Sequence, residues 1–237
     1  MKLYAYCLTQ GIDLPPESSN GINGAPVRLI RVENFSLLVT DFPGDTVPVN
    51  RDNALAHAAV VRSVLDQTTP LPFRFGTLVA QQQLESYVAA RHDALKAKLE
   101  RVRGCVEMSV KIIWDRPWTE EPPVKEPDKP GTAFLVEKRR ELLGTEARAT
   151  EAKQIADWLE EGLRDVVRER TIQTNTTEKL LVTAAHLVER NSVEKYREAV
   201  KNATLERPEL HFLASGPWPP YSFANIDLEF KTQFGVS

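Results

Sequence analysis

The sequence predicts an α+β protein of two domains: an N-terminal α+β domain over residues 1–103 and a C-terminal domain over 104–237 with a modified ferredoxin-like order, βαββαβ. Three observations carry this. Short runs alternate between apolar and polar residues, most clearly Val106, Met108, Val110, Ile112 and Trp114 against Glu107, Ser109 and Lys111. Between them lie long stretches whose apolar residues recur at helical spacing. After the first strand of the second domain, residues 116–131 carry Pro117, Pro122, Pro123, Pro127 and Pro130, a density that neither a central strand nor a helix interior tolerates.

Taken in order, residues 2–9 read as a strand, and Val27–Val32 and Phe35–Thr40 as a hairpin about Glu33-Asn34. Ala54, Ala58, Val61 and Leu65 predict a helix over Arg51–Asp66. Thr69–Gly76 must be extended, because residues before proline avoid the α region. Leu71, Phe73 and Phe75 then share one face with Arg74 on the other; Gly76 permits a tight turn and Thr77 caps the next helix. That helix runs from about Leu78 to Val102 and ends at Gly104. Past the proline-rich insertion, read as an exposed loop or edge hairpin, order resumes at Gly131–Val136. A second long helix covers about Thr145–Arg170. Thr171–Thr176 suits an edge strand and Leu180–Val188, apolar on both faces, a central one. A helix with Val193, Tyr196, Val200 and Ala203 inward and a last strand over Leu210–Ala214 complete the order, before the turn Gly216-Pro-Trp-Pro-Pro220.

Composition narrows the function. The chain has 237 residues, 42% hydrophobic and 27% charged, enough for a buried core. Its net charge of −3 leaves no basic excess for phosphates, which disfavours a nucleic-acid partner. The first residues lack a signal-peptide pattern, and no stretch has the length of a membrane span. Cys7 and Cys105 make neither a disulfide framework nor a zinc site, and read as buried thiols of a reducing cytosol.

Phosphate-loop, dinucleotide, zinc-protease and nucleophile-elbow motifs are all missing. No enzyme, cofactor or metal is therefore expected. His57 edges the apolar stripe of the first helix, His92 reads as solvated, and His186 as a satisfied core histidine; catalysis by His186 would need a partner across the sheet. The neighbours Glu160 and Glu161 read as solvated. Arg74, held between Phe73 and Phe75, admits two readings: a salt bridge joining the domains, or contact with a ligand or partner. In Gly216-Pro-Trp-Pro-Pro-Tyr-Ser-Phe223, three prolines stiffen a loop that either presents Trp218 and Tyr221 to a partner or folds back over the sheet.

These segments resemble the gas vesicle GvpF/GvpL family along nearly the whole chain. The resemblance rests on Leu3-Tyr-Ala-Tyr6, on His57 followed by Val60-Val61, and on Leu71-Pro-Phe-Arg-Phe-Gly-Thr77. It continues in Gly104-Cys-Val-Glu-Met-Ser-Val-Lys111, in Gly131-Thr-Ala-Phe-Leu135 (Phe134 replacing the usual Tyr) and in Gly216-Pro-Trp-Pro-Pro-Tyr-Ser-Phe223. It implies an accessory protein of gas-vesicle nucleation or assembly in the cytoplasm, without enzymatic activity. The implied partners are the shell protein GvpA and other accessory proteins. Arg74, Trp218 and Tyr221 are the expected partner-binding residues. Two competing readings are an anion-binding protein or enzyme with Arg74 in an interdomain cleft, and a pure scaffold without shell contact.

Overall fold

A computed structural model describes residues 1–13, 20–114, 133–174, 180–224 and 226. The first strand, β1 (Lys2–Thr9), is buried on both faces from Leu3 to Thr9. Its nearly continuous apolar sequence therefore suits a sheet centre rather than a half-solvated position. On one side it pairs antiparallel with β3 (Phe35–Phe42), which forms a hairpin with β2 (Arg28–Val32). The predicted two-residue turn is present, with Glu33 at φ 53°. On the other side β1 carries two short strands in tandem, β4 (Leu71–Pro72) and β5 (Leu78–Val79). The register slips between Ala5 and Cys7. Such a bulge re-aims side chains locally, and here the rings of Tyr4 and Tyr6 lie 4.8 Å apart.

Helix α1 (Arg51–Leu65) begins where the Asn50 side chain accepts the Asn53 N–H at 2.8 Å, a cap worth about 1 kcal/mol. It buries Val60, Val61, Val64 and Leu65, each contributing about 1.5–3 kcal/mol. The inner face is rotated from the predicted one. Ala54 and Ala58 are exposed, while Asn53 and His57 point inward. Alanine has little area to bury, and both polar residues find partners inside.

A short 3₁₀ turn at Ile22–Gly24 is tied down by Tyr6, whose hydroxyl accepts the Ile22 N–H at 2.8 Å and donates to Thr40 Oγ1 at 3.1 Å. A Cβ on Gly21 would stand 2.1 Å from that hydroxyl and 2.6 Å from Thr40 Oγ1. Gly21→Ala is therefore expected to destabilise the protein by about 1–3 kcal/mol, read as a lower urea midpoint. An unchanged midpoint would mean that the turn moves aside freely.

The predicted helix over 78–102 is two helices, α2 (Gln81–Ala90) and α3 (His92–Val102), broken at Arg91. The break lets His92 reach the β2–β3 hairpin, where Nε2 lies 3.1 Å from Asn34 Oδ1 and 3.3 Å from the Glu33 carboxylate. His92 is thus partnered rather than solvated.

The second sheet is built from β6 (Cys105–Trp114), β7 (Glu169–Thr174), β8 (Leu180–Glu189) and β9 (Leu210–Trp218), in the order β7-β8-β6-β9. Numbered within this set, the order is 2-3-1-4, that of a ferredoxin-like fold. Helices α4 (Ala133–Leu163) and α5 (Val193–Glu206) pack on it. Helix α4 covers the region where order was expected to resume and stops at Leu163, short of Arg170. Beyond Leu163 the chain turns, and the Arg168 N–H donates to Leu187 O at 2.9 Å, which starts the β7–β8 ladder. Strand β9 continues past Ala214 into Pro217; proline is tolerated there because β9 is an edge. The proline-rich insertion, residues 116–131, lies outside the described residues.

By internal packing the chain divides into two units. One is Met1–Glu107 with the segment from Pro217 onward; the other is Met108–Gly216. The C-terminal segment thus groups with the first unit, for reasons visible in its hydrogen bonds.

Candidate functional site

Leu71-Pro-Phe-Arg-Phe-Gly-Thr77 runs antiparallel along β1 and leaves it for three residues. Leu71 and Pro72 pair with Leu8 and Cys7, and the Phe73 N–H donates to Tyr6 O at 2.8 Å. The chain then bulges out at Arg74–Gly76 and returns where Thr77 O accepts the Ala5 N–H at 3.0 Å. Thr77 closes the bulge, its Oγ1 donating to Arg74 O at 2.6 Å, instead of capping a helix. Gly76 has φ +86°, a conformation that side chains disfavour. Phe73 is buried, Phe75 half-buried, and Arg74 exposed at the crest.

Beneath the bulge lies a polar chain that the sequence did not reveal. Tyr4, on β1, accepts the Gly76 N–H on its hydroxyl at 3.3 Å. The same hydroxyl lies 2.8 Å from His57 Nδ1, and His57 Nε2 lies 3.2 Å from the hydroxyl of Tyr221. The rings of Tyr4, Tyr6, Phe75 and Tyr221 surround the imidazole with centroids 5.7–6.5 Å away. Burial lowers the His57 pKa to about 4, opposed only in part by the nearby Phe73 backbone, so the ring is neutral at pH 7. Burial also raises the pKa of Tyr4 and of Tyr221, keeping both hydroxyls protonated.

The C-terminal segment is fastened at three further points. The Ser222 N–H and Oγ donate to the two oxygens of Glu107, at 2.7 and 2.9 Å. Arg62 Nη1 donates to Pro217 O at 2.8 Å. Pro219, Pro220, Phe223 and Ala224 are buried. Glu107 is 8% exposed, and burial raises its pKa against the lowering effect of Ser222. Trp218 and Tyr221 nevertheless remain 45% and 41% exposed. Phe223 is thus buried in the core, while Trp218 and Tyr221 keep part of their rings at the surface.

Of the three expected contact residues, Tyr221 is linked to the Arg74 bulge through His57 and Tyr4, while Trp218 lies at the end of β9. A cavity of about 310 Å³ in the first unit, lined by residues including Thr9, Thr69, Leu99 and Arg103, does not include Arg74. Sequence reasoning missed His57 and Glu107 as organising groups. Both lie within the segments that carry the resemblance, which was the available signal.

The second unit has its own buried histidine. His186 Nδ1 lies 2.7 Å from the Tyr196 hydroxyl and Nε2 lies 2.8 Å from Glu160 Oε1; Glu160 Oε2 also accepts from Arg170 at 3.2 Å. His186 is a partnered core histidine. Glu160, at 6% exposed, is not solvated as its neighbour Glu161 suggested. Among the described residues no group of His, Cys, Asp and Glu is arranged to hold a metal ion, and no helix is long and apolar enough to cross a membrane.

Comparison with known proteins accounts for this architecture. The family model of the gas vesicle synthesis protein GvpL/GvpF matches residues 2–225. Gas vesicle protein L of Streptomyces sp. strain CB03234 is 28% identical over 251 residues, covering 94% of this chain and 92% of that one. Gas vesicle protein F1 of Halobacterium salinarum is 23% identical, covering 98% and 97%. The crystal structure of GvpF from Microcystis aeruginosa superposes with a TM-score of 0.77 at 20% identity, over 95% of this chain and 99% of that one, and so shares the fold. The chain belongs to the gas vesicle synthesis protein GvpL/GvpF family, whose members are accessory proteins of gas vesicles.

Proposed function

We propose that this protein acts in gas-vesicle nucleation and assembly by binding the shell protein GvpA and keeping it from aggregating. The observation that carries the reading is the pair Trp218 and Tyr221, large aromatics left at the surface on a segment whose backbone and neighbours are fixed. Rigid, partly exposed aromatics lose little entropy on binding and are favoured as interface anchors. Arg74, exposed on the adjoining bulge, adds a cation at the rim of the same surface. A very apolar subunit awaiting incorporation needs such shielding.

Purified GvpA should be captured by the full-length chain and about 10- to 30-fold less well by Trp218→Ala, a loss typical of an aromatic anchor. Circular dichroism on the variant checks that it still folds. Undiminished capture sinks the assignment of Trp218. Capture of other accessory proteins without GvpA would favour a scaffold role instead.

A further inference from the structure

We propose that His57 is a positioning residue that couples the Arg74 bulge to the Tyr221 segment, so that the two present one surface rather than two independent loops. It sits on α1 and bonds to two separate stretches of chain: Tyr4 of β1, whose hydroxyl holds the Gly76 amide of the bulge, and Tyr221. A neutral imidazole has one donor and one acceptor nitrogen. Its two tyrosine partners must therefore play unlike roles, and the role of one fixes that of the other. Gly76 donates to Tyr4. With the Tyr4 proton directed at Nδ1, the ring proton resides on Nε2, directed at Tyr221. Loss of the Tyr221 hydroxyl removes a partner of Nε2 and frees the ring to turn or to exchange tautomers. Either change disturbs the acceptor that holds the Gly76 amide. The coupling thus passes from a half-exposed aromatic to a backbone amide beside Arg74 through three side chains in van der Waals and hydrogen-bond contact.

The use of this coupling rests on the binding surface proposed above, but the coupling itself is measured on the full-length chain alone. Amide hydrogen exchange at Gly76 is the readout. Tyr221→Phe, which removes a hydroxyl that does not touch Gly76, should speed that exchange about fivefold, the effect of weakening one hydrogen bond. The amides of Leu37 to Val39 in β3 should stay unchanged. In a His57→Asn background, where no polar atom reaches the position of Nε2, Tyr221→Phe should add nothing. Unchanged Gly76 exchange in Tyr221→Phe overturns the proposal, and so does an equal rise in β3, which would report general loosening. Should Trp218→Ala capture GvpA normally while Gly76 still responds to Tyr221, the binding surface is wrong and the coupling stands.

Discussion

Glu160→Ala is expected to destabilise the second unit by about 3 kcal/mol or more, the largest effect foreseen for a single substitution outside the apolar core. His186 is fully buried, and the carboxylate of Glu160 stands 2.8 Å from its Nε2. Truncation strands that nitrogen where water cannot reach it and leaves a void beside it. Glu160→Gln keeps a hydrogen-bonding group in place and forfeits mainly the charge facing Arg170, whose side chain is 56% exposed and so well screened. It should cost about 1 kcal/mol. Urea unfolding followed by circular dichroism distinguishes the two. Equal losses would mean that volume, not the bond to His186, is what Glu160 contributes.

The second large effect is a dependence on pH that belongs to the first unit. His57 titrates near pH 4 in the folded chain against 6.5 when unfolded. Between these values the unfolded chain takes up the proton and the folded chain does not. Stability is therefore intact above about pH 6.5 and falls as the pH drops to about 4. At 1.36 kcal/mol per unit, the loss is about 3 kcal/mol. Glu107 works in the opposite sense: its raised pKa means that the folded chain accepts that proton first as the pH falls. Comparing the urea midpoints of the wild type and His57→Gln from pH 7 to pH 4 isolates the histidine. The wild type should show the steeper decline, and parallel curves would show that His57 is not kept neutral by burial.

Much of the fold was legible because it depends on local spacing. The alternation of Val106 to Ile112 placed β6, the apolar run Leu180–Val188 placed β8 at the centre of its sheet, and Tyr196, Val200 and Ala203 marked the buried face of α5. The sites were less legible because they depend on distance. Tyr4, His57 and Tyr221 are far apart in sequence, and no periodicity links them. The chemistry of each was plain, but not its company. Glu160 is a different case. It lies one helical turn after Ala156 on the same stripe as Ile155, Leu159 and Leu163, all buried. Its adjacency to Glu161 masked a position that helical geometry assigns to the interior.

The fastening of the C-terminal segment to the first unit has a consequence for how the protein is made. Glu107 leaves the ribosome well before Ser222, and at ordinary synthesis rates the interval is roughly 5–20 s. Throughout that interval the acceptor oxygens of Glu107 and the outer side of His57 are without the partners that will cover them, while every residue of Met108–Gly216 is being added. The nascent first unit is thus held incomplete until its neighbour in sequence has emerged. Closure of the Ser222 and Tyr221 bonds is a late event, and it assembles the proposed binding surface only on a chain that has been read past Ser222.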